Sequence, residues 1–413
     1  MMIFQRLFAA IYRVGRLRFA IILLIGAIVT CASFAIAMIG VTRTKNPNIA
    51  LAINSNDGVA LAKVAEAMFL SNPLKPPAQI TDLARKALQV QGANARALRL
   101  LGSMFSVENP DSEQARHLMK LATRLTRRDA GAQLWLVQDA ARRSDYPAAM
   151  ANIDTLLRTL PESEDTLFPI MLRGLDDPQF RAMFRRYRKG APIWVGNFLS
   201  YSIANAPNLD PVVEIVVSSG GFPDVPKAAA YGRQLLDRLG KAGQFDEVAQ
   251  IYRLMPGADL QHLTRAGFDV SDIEEYSGVV GWQVFDGADA GASFVLEKGR
   301  EDPIMTVYVN SGTTRPVASK LLYLRPGGYL LSVEIDQVDA GEGGSLSWRL
   351  RCPAQSDKSP IQQGGNLKVG RNSAPIVVPN YCAVQFLDIV TSGGDGQRGL
   401  EATVLGVTLA NRK

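Results

Sequence analysis

The chain has 413 residues, 47% of them hydrophobic, enough for two or three domains with ordinary cores. The formal net charge is +6, but residues 1–45 already hold Arg6, Arg13, Arg16, Arg18, Arg43 and Lys45 and no acid, and the other 39 basic residues are matched by 39 acidic ones. Bulk charge therefore gives no support to nucleic-acid binding, and no nucleic-acid partner is expected.

The first eighteen residues read as a basic, amphipathic cytoplasmic segment. Phe19–Val41 follows as an uncharged apolar run of 23 residues. At ~1.5 Å per residue it is long enough to cross a ~30 Å hydrocarbon layer. Four arginines precede it, and only Arg43 and Lys45 follow closely, so the positive-inside rule places the N-terminus in the cytoplasm and the rest outside. A cleaved signal peptide is the rival, because Ala35-Ile36-Ala37 resembles a cleavage site; the length of the run favours a retained anchor. Residues 42–54 read as a linker.

From 55 to 275 the chain is rich in Ala, Leu and Arg with apolar spacings of three and four, the pattern of helical repeats. In one unit Leu98, Leu101, Gly102 and Phe105 fall on a first helix and Ala115, Met119 and Ala122 on a second. The steps Ala87, Ala122, Leu156 are 35 and 34 residues. These positions resemble tetratricopeptide repeats, though no unit carries the full signature and 162–225 fits poorly. The resemblance implies a concave surface that holds a protein partner. Within this region Arg181, Arg185 and Arg188 share one face if residues 180–194 are helical, with no acid from Pro178 through Leu209. They form a candidate patch for an anionic ligand, set against a plain solvated face.

Residues 276–413 change to a period of two, the mark of half-buried antiparallel strands. Tyr329, Leu331, Val333 and Ile335 alternate with Leu330, Ser332, Glu334 and Asp336; Leu346, Trp348, Leu350 and Cys352 point one way; Cys382, Val384 and Phe386 align. With strands expected at 282–285, 293–297, 304–309, 319–324 and 400–409, the fold class is a two-sheet sandwich of jelly-roll type. Cys352 and Cys382 both lie on apolar strand faces of a segment placed outside the cytoplasm, so a Cys352–Cys382 disulfide is expected in place of two free thiols. Trp348 shares the face of Cys352 and reads as core.

The RPGGYLLSVEI entry, the strand count and the WRLRC…VPNYC pair resemble carbohydrate-binding-module-like sandwiches. Combined with the anchor and degenerate repeats, they resemble membrane-bound accessory proteins of bacterial exopolysaccharide production. That resemblance implies glycan-related work without catalysis, with polysaccharide as a second partner. Trp282, Tyr308 and Tyr381 are the candidate sugar-stacking residues, each with a structural reading beside it. Gly394–Gly399 matches GxGxxG between two strand patterns and reads as a loop. An EF-hand reading of 286–297 lacks oxygen ligands at Ala288 and Ala290; a structural calcium stays open. With only His117 and His262, and with the pairs Asp176-Asp177 and Glu274-Glu275 in polar connections, no catalytic residues, metal site or cofactor are expected. The expectation is a single-pass protein of a bacterial inner membrane, its bulk periplasmic, serving as a non-catalytic scaffold in polysaccharide assembly or export. The alternative is a protein-only envelope scaffold whose sandwich is an interaction module.

Overall fold

A computed structural model describes residues 16–273, 278–353 and 361–412. Most of the expected basic segment, and the Glu274-Glu275 pair, lie outside the described residues. The protein comprises an apolar helix, a helical-repeat region and a two-sheet antiparallel β-sandwich. It divides into two compact units, Met1–Leu167 and Phe168–Lys413.

The first unit begins with α1 (Arg16–Lys45). Its stretch Phe19–Lys45 is long and apolar enough to cross a membrane, and none of its apolar window is buried. Thr30 and Thr42 donate their hydroxyls to the carbonyls of Gly26 and Met38, at 2.8 and 2.6 Å, so neither leaves a polar atom unpaired. Residues 47–53, within the expected linker, form a short helix, α2 (Pro47–Ile53). Six helices follow: α3 (Gly58–Ser71), α4 (Gln79–Val90), α5 (Ala95–Glu108), α6 (Glu113–Leu125), α7 (Ala130–Arg142) and α8 (Tyr146–Thr159). They pack as successive pairs, α3 with α4, α5 with α6, α7 with α8. Side-chain caps start five of them: Asp57, Asn94, Ser112, Asp129 and Asp145 each accept from the backbone N–H three residues on. The period-setting Ala87, Ala122 and Leu156 are all core. Gly102 lets α5 approach α6, since a Cβ there would lie 3.1 Å from Met119 Cε and 3.3 Å from the Ala115 carbonyl.

In the second unit, the helices are the end of α9 (Glu164–Gly174), α10 (Pro178–Ala182), α11 (Ile193–Asn205), α12 (Asp210–Ser218), α13 (Ala228–Lys241), α14 (Phe245–Arg253) and α15 (Val270–Ile273). The sandwich strands are β1 (Trp282–Val284), β2 (Ala290–Val295), β3 (Ile304–Val309), β4 (Thr314–Leu322), β5 (Gly327–Ala340), β6 (Ser345–Arg351), β7 (Gln362–Gln363), β8 (Gly370–Val378), β9 (Gln385–Ser392) and β10 (Leu400–Asn411). Sheet A has the order β1-β4-β9-β6-β7 and sheet B the order β2-β3-β10-β5-β8, all pairs antiparallel. Alternation holds on β5, where Leu331, Val333 and Ile335 are core, and on β6, where Leu346, Trp348 and Leu350 are core. On β9 the core face carries Leu387 and Ile389. Phe386 therefore stands on the other face, with its ring 5.3 Å from that of Phe245 in α14, which corrects its alignment with Cys382. Gly399, last of the GxGxxG match, precedes β10 where a Cβ would fall 1.9 Å from the Val309 carbonyl; the motif is a loop between strands.

The irregular chain between α14 and α15 contributes to the sandwich core. Ala266 and Phe268 belong to the sandwich cluster, and the ring of Phe268 meets those of Trp282 and Phe294 at 5.6 and 5.1 Å. Tyr323 donates its hydroxyl to the Phe245 carbonyl and its N–H to the Leu263 carbonyl. Lys320, 2% exposed, donates Nζ to the Val280 carbonyl at 2.7 Å. Burial lowers the Lys320 ammonium to about 8 against the opposing pull of Asp272 and Asp269.

Cys352 and Cys382 form a disulfide with Cα atoms 5.7 Å apart, and Cys31 is free. The bridge closes a span of 30 residues. Replacing both cysteines, as C352S/C382S, is expected to cost about 3.6 kcal/mol on the chain-entropy estimate for a 30-residue span; urea unfolding followed by amide exchange in β6 and β9 measures it. Because the unfolded chain keeps the Lys320 proton to higher pH than the folded one, stability should rise between about pH 8 and pH 10.5. Lys320→Met should abolish that rise, as read from thermal midpoints across the interval.

Candidate binding site

The outward face of sheet B is the most site-like surface of the sandwich. Its register aligns Gly291, Tyr308, Glu401 and Asp339 across β2, β3, β10 and β5, and beside them Ser293, Thr306, Thr403 and Gln337. Core residues Val307, Val309, Ala402 and Val404 occupy the opposite face, so the period of two delivers these polar side chains to solvent. Two adjoining clefts of about 310 and 340 Å³ share Tyr308 and Glu401; Gln337 lines one, Asp339, Asn310 and Arg398 the other.

Tyr308 is fixed in this face. A Cβ at Gly291 would lie 2.7–2.9 Å from its hydroxyl, Cε1 and Cζ, so the ring rests on the bare backbone of β2. Its hydroxyl lies 2.8 Å from Asp286 Oδ1, to which it donates, and 2.5 Å from the Gly287 carbonyl. The bond to Asp286 pushes the phenol above its ordinary pKa. Ser293 and Thr306 pair their hydroxyls at 2.8 Å. An aromatic ring bordered by hydroxyl, amide and carboxylate groups can stack on an apolar ligand face while bonding its hydroxyls.

The other aromatic candidates are elsewhere. Trp282 is 4% exposed and donates its indole N–H to the Ala266 carbonyl at 3.0 Å; both ring faces lie in the core, which corrects its reading as a free platform. Tyr381 is 65% exposed, beyond the end of β8. Three strand spacings separate β8 from β3 in sheet B, roughly 14 Å, so Tyr381 does not join Tyr308.

The arginine patch is also taken apart. The helix gives way after Ala182 to a 3₁₀ turn over Met183–Tyr187, which breaks the shared face. Phe184 and Tyr187 go into an aromatic core with Phe198 and Trp194. Arg181 pairs with Glu214 at 2.6 Å and donates to the Leu175 carbonyl. Arg188 donates to the Phe222 carbonyl at 2.7 Å. Arg185 is exposed. The apolar hollow beside Arg188, walled by Phe198, Leu199 and Val212, holds about 30 Å³, the room of one water.

In the first unit a polar cleft of about 490 Å³ lies along the first helices of successive pairs, between α3, α5 and the start of α7. Glu66 of α3 holds Lys63, Arg96 and Arg99, and Arg99 reaches Asp129 at 2.9 Å. Gly131 leaves space for Arg99, whose Cδ would lie 2.9 Å from an added Cβ. Asn94, 7% exposed, caps α5 and donates to the Gly58 carbonyl at 2.9 Å. Burial pushes the Glu66 carboxyl up, but the bond from Lys63 and the charges of Arg96 and Arg99 outweigh it and hold it near about 2. The sequence reading did not single out these residues; their one signal is the Asx cap at corresponding starts, Asp57, Asn94 and Asp129. Among the described residues no group of three metal-ligating side chains converges.

No protein-family model and no curated protein matches the sequence. Among solved structures the chain is similar to the module TmCBM61 in complex with beta-1,4-galactotriose, at 10% identity and TM-score 0.26, over 35% of this chain and 99% of that one. It is similar to the CBM22-1–GH10 modules of a Clostridium thermocellum endo-1,4-beta-D-xylanase complexed with xylohexaose, at 18% and 0.24, over 37% and 28%. It is also similar to YrrB, a TPR protein with an unusual peptide-binding site, at 13% and 0.29, over 51% and 90%. At these identities and TM-scores no ligand or activity of those proteins carries over to this chain.

Glu66, with its folded-state value depressed, stabilises the first unit fully above about pH 4.5, and the contribution is lost as pH falls towards about 2. Glu66→Gln should cost about 1–3 kcal/mol at neutral pH by leaving Arg96 and Arg99 without their shared carboxylate. Amide exchange in α3 and α5 should therefore quicken for the variant at pH 7 and differ less from the parent at pH 3.

Proposed function

We propose that this protein is a non-catalytic, membrane-anchored scaffold of the bacterial envelope, acting in exopolysaccharide or other polysaccharide assembly or export. In this reading α1 is retained in the inner membrane, with the N-terminus cytoplasmic and both compact units periplasmic. The arginine asymmetry around the apolar run supports that orientation, and the Cys352–Cys382 disulfide suits an oxidising compartment. The cleft of the helical repeats takes a protein partner, and the outward face of sheet B takes glycan.

The observation that carries the glycan half is the pinned ring of Tyr308 in an open cleft flanked by Thr306, Thr403, Gln337, Glu401 and Asp339. A pyranose offers an apolar CH face to such a ring and hydroxyls to such neighbours. The alternative, a protein-only scaffold, draws support from Trp282, whose burial leaves Tyr308 as the one aromatic of the three candidates in this cleft.

The test is binding of the full-length, oxidised protein in lipid discs to the host's own extracellular polysaccharide and to a glycan panel. Saturable binding should weaken about tenfold, an energy of ~1.4 kcal/mol, in Tyr308→Ala and stay near the parent in Tyr308→Phe, which keeps the ring. Absence of binding to every glycan would sink this half of the reading and leave the protein-only scaffold.

A further inference from the structure

α1 and α2 are joined without a flexible tether. Asn46 alone separates them; its N–H donates to the Thr42 carbonyl at 2.7 Å, and its carbonyl accepts from Ile49 at 3.1 Å. On α2, Ala50 is fully buried and Leu51 packs on the core of the first repeat helices. Ile49 and Ile53, one helical turn apart and on the same side, are 42% and 44% exposed. The chain from Thr42 through Asn56 contains Arg43 and Lys45 and no acid; the first acid of the sequence is Asp57.

These facts fix where α2 must lie if α1 crosses a bilayer. The run Phe19–Val41 spans ~34 Å as helix, so it fills a ~30 Å hydrocarbon layer and brings Arg43 and Lys45 to headgroup level. A helix that starts two residues later, on a hydrogen-bonded junction, stays within the interfacial zone, where amphipathic helices bury an apolar face ~5–10 Å deep.

We propose that α2 is an interfacial foot: Ile49 and Ile53 insert into the outer surface of the bilayer that α1 crosses, while Arg43 and Lys45 pair with anionic lipid headgroups. This rests on the anchored reading of α1. The foot would hold the first repeat helices against the membrane in one orientation, because Ala50 and Leu51 tie the other side of α2 to their core.

The test uses the full-length protein on a Cys31→Ser background, with Ile36→Cys, Ile49→Cys or Ile53→Cys labelled by an environment-sensitive fluorophore. All three positions are exposed, so the substitutions leave the core intact. Each is reconstituted in phosphatidylglycerol-containing vesicles with and without lipid carrying a quencher near the headgroup. Labels at 49 and 53 should lose emission about twofold or more with the quenching lipid, and less when phosphatidylglycerol is replaced by neutral lipid. Position 36 reports on the span. Quenching at 36 with water-like, unquenched labels at 49 and 53 overturns the foot and leaves the anchor. Blue-shifted but unquenched labels at 49 and 53 mean that protein covers the isoleucines, which also overturns it. No quenching at 36 overturns the anchored reading itself, and the foot with it.

Discussion

Asp388 lies on the side of sheet A turned away from the sandwich core and is nevertheless inaccessible to water, so its charge must be answered locally. Arg349 and Arg351 reach one carboxylate oxygen at 2.7 and 2.8 Å, and Ser319 donates to the other at 2.6 Å. Removing one partner from such a site leaves a buried charge uncompensated, which costs several kcal/mol. The same face carries Phe386, held between Phe245 of α14 and the guanidinium of Arg351, 4.2 Å from its ring. An antiparallel sheet ordinarily keeps one face in water; on sheet A much of that face is taken up by α14, whose Phe245 packs on Phe386, and by the Asp388 arginines, and α14 belongs to the same compact unit. That coverage leaves the outward face of sheet B as the more open face of the sandwich.

Double coverage also explains which parts of the fold were legible in the sequence. Period-two alternation located eight of the ten described strands, missing β7 and β8, and gave the inward residues of β5 and β6, because their inner faces meet only the other sheet. It misplaced Phe386, whose apolar character fits either face and whose partner Phe245 comes from α14; likewise it gave no sign that Trp282 is buried against Ala266 and Phe268 of the irregular segment before α15. The change to a period of two from residue 276 does not mark a packing boundary: Ala266 and Phe268 precede it and sit in the sandwich core. The Cys352–Cys382 pairing was expected because Cys352 continues the inward face of β6 and because the arginines before the apolar run favour an oxidising side; the two cysteines are bridged.

The arginine-rich segment shows a second limit. A window from Pro178 through Leu209 contains no acid, yet Arg181 is paired, because Glu214 on α12 lies just past that window and packing brings the two together. Local charge counts see only sequence neighbours, whereas a folded helical array supplies partners from the next helix. The Glu66 cluster has the same origin. Its arginines, 96 and 99, come from the helix that starts the following pair, and Asp129 from the start of the one after. Nothing in a single repeat announces the cluster; stacking three successive first helices creates it.

Tyr308 stands between these cases. Alternation along β3 sets it on the face opposite the core residues Val307 and Val309. Its fitness as a platform depends on Gly291, seventeen positions upstream and directly across the strand pair. A larger residue there would lift the ring away, and without Asp286 and Gly287 the hydroxyl would be free to swing. A ring pinned on both counts loses little conformational freedom when a ligand stacks on it, and it borders both clefts of the open face. An incidental surface tyrosine needs neither a glycine beneath it nor two acceptors at its tip, so the outward face of sheet B, rather than the more aromatic but buried neighbourhood of Trp282, is where recognition by the sandwich should be sought.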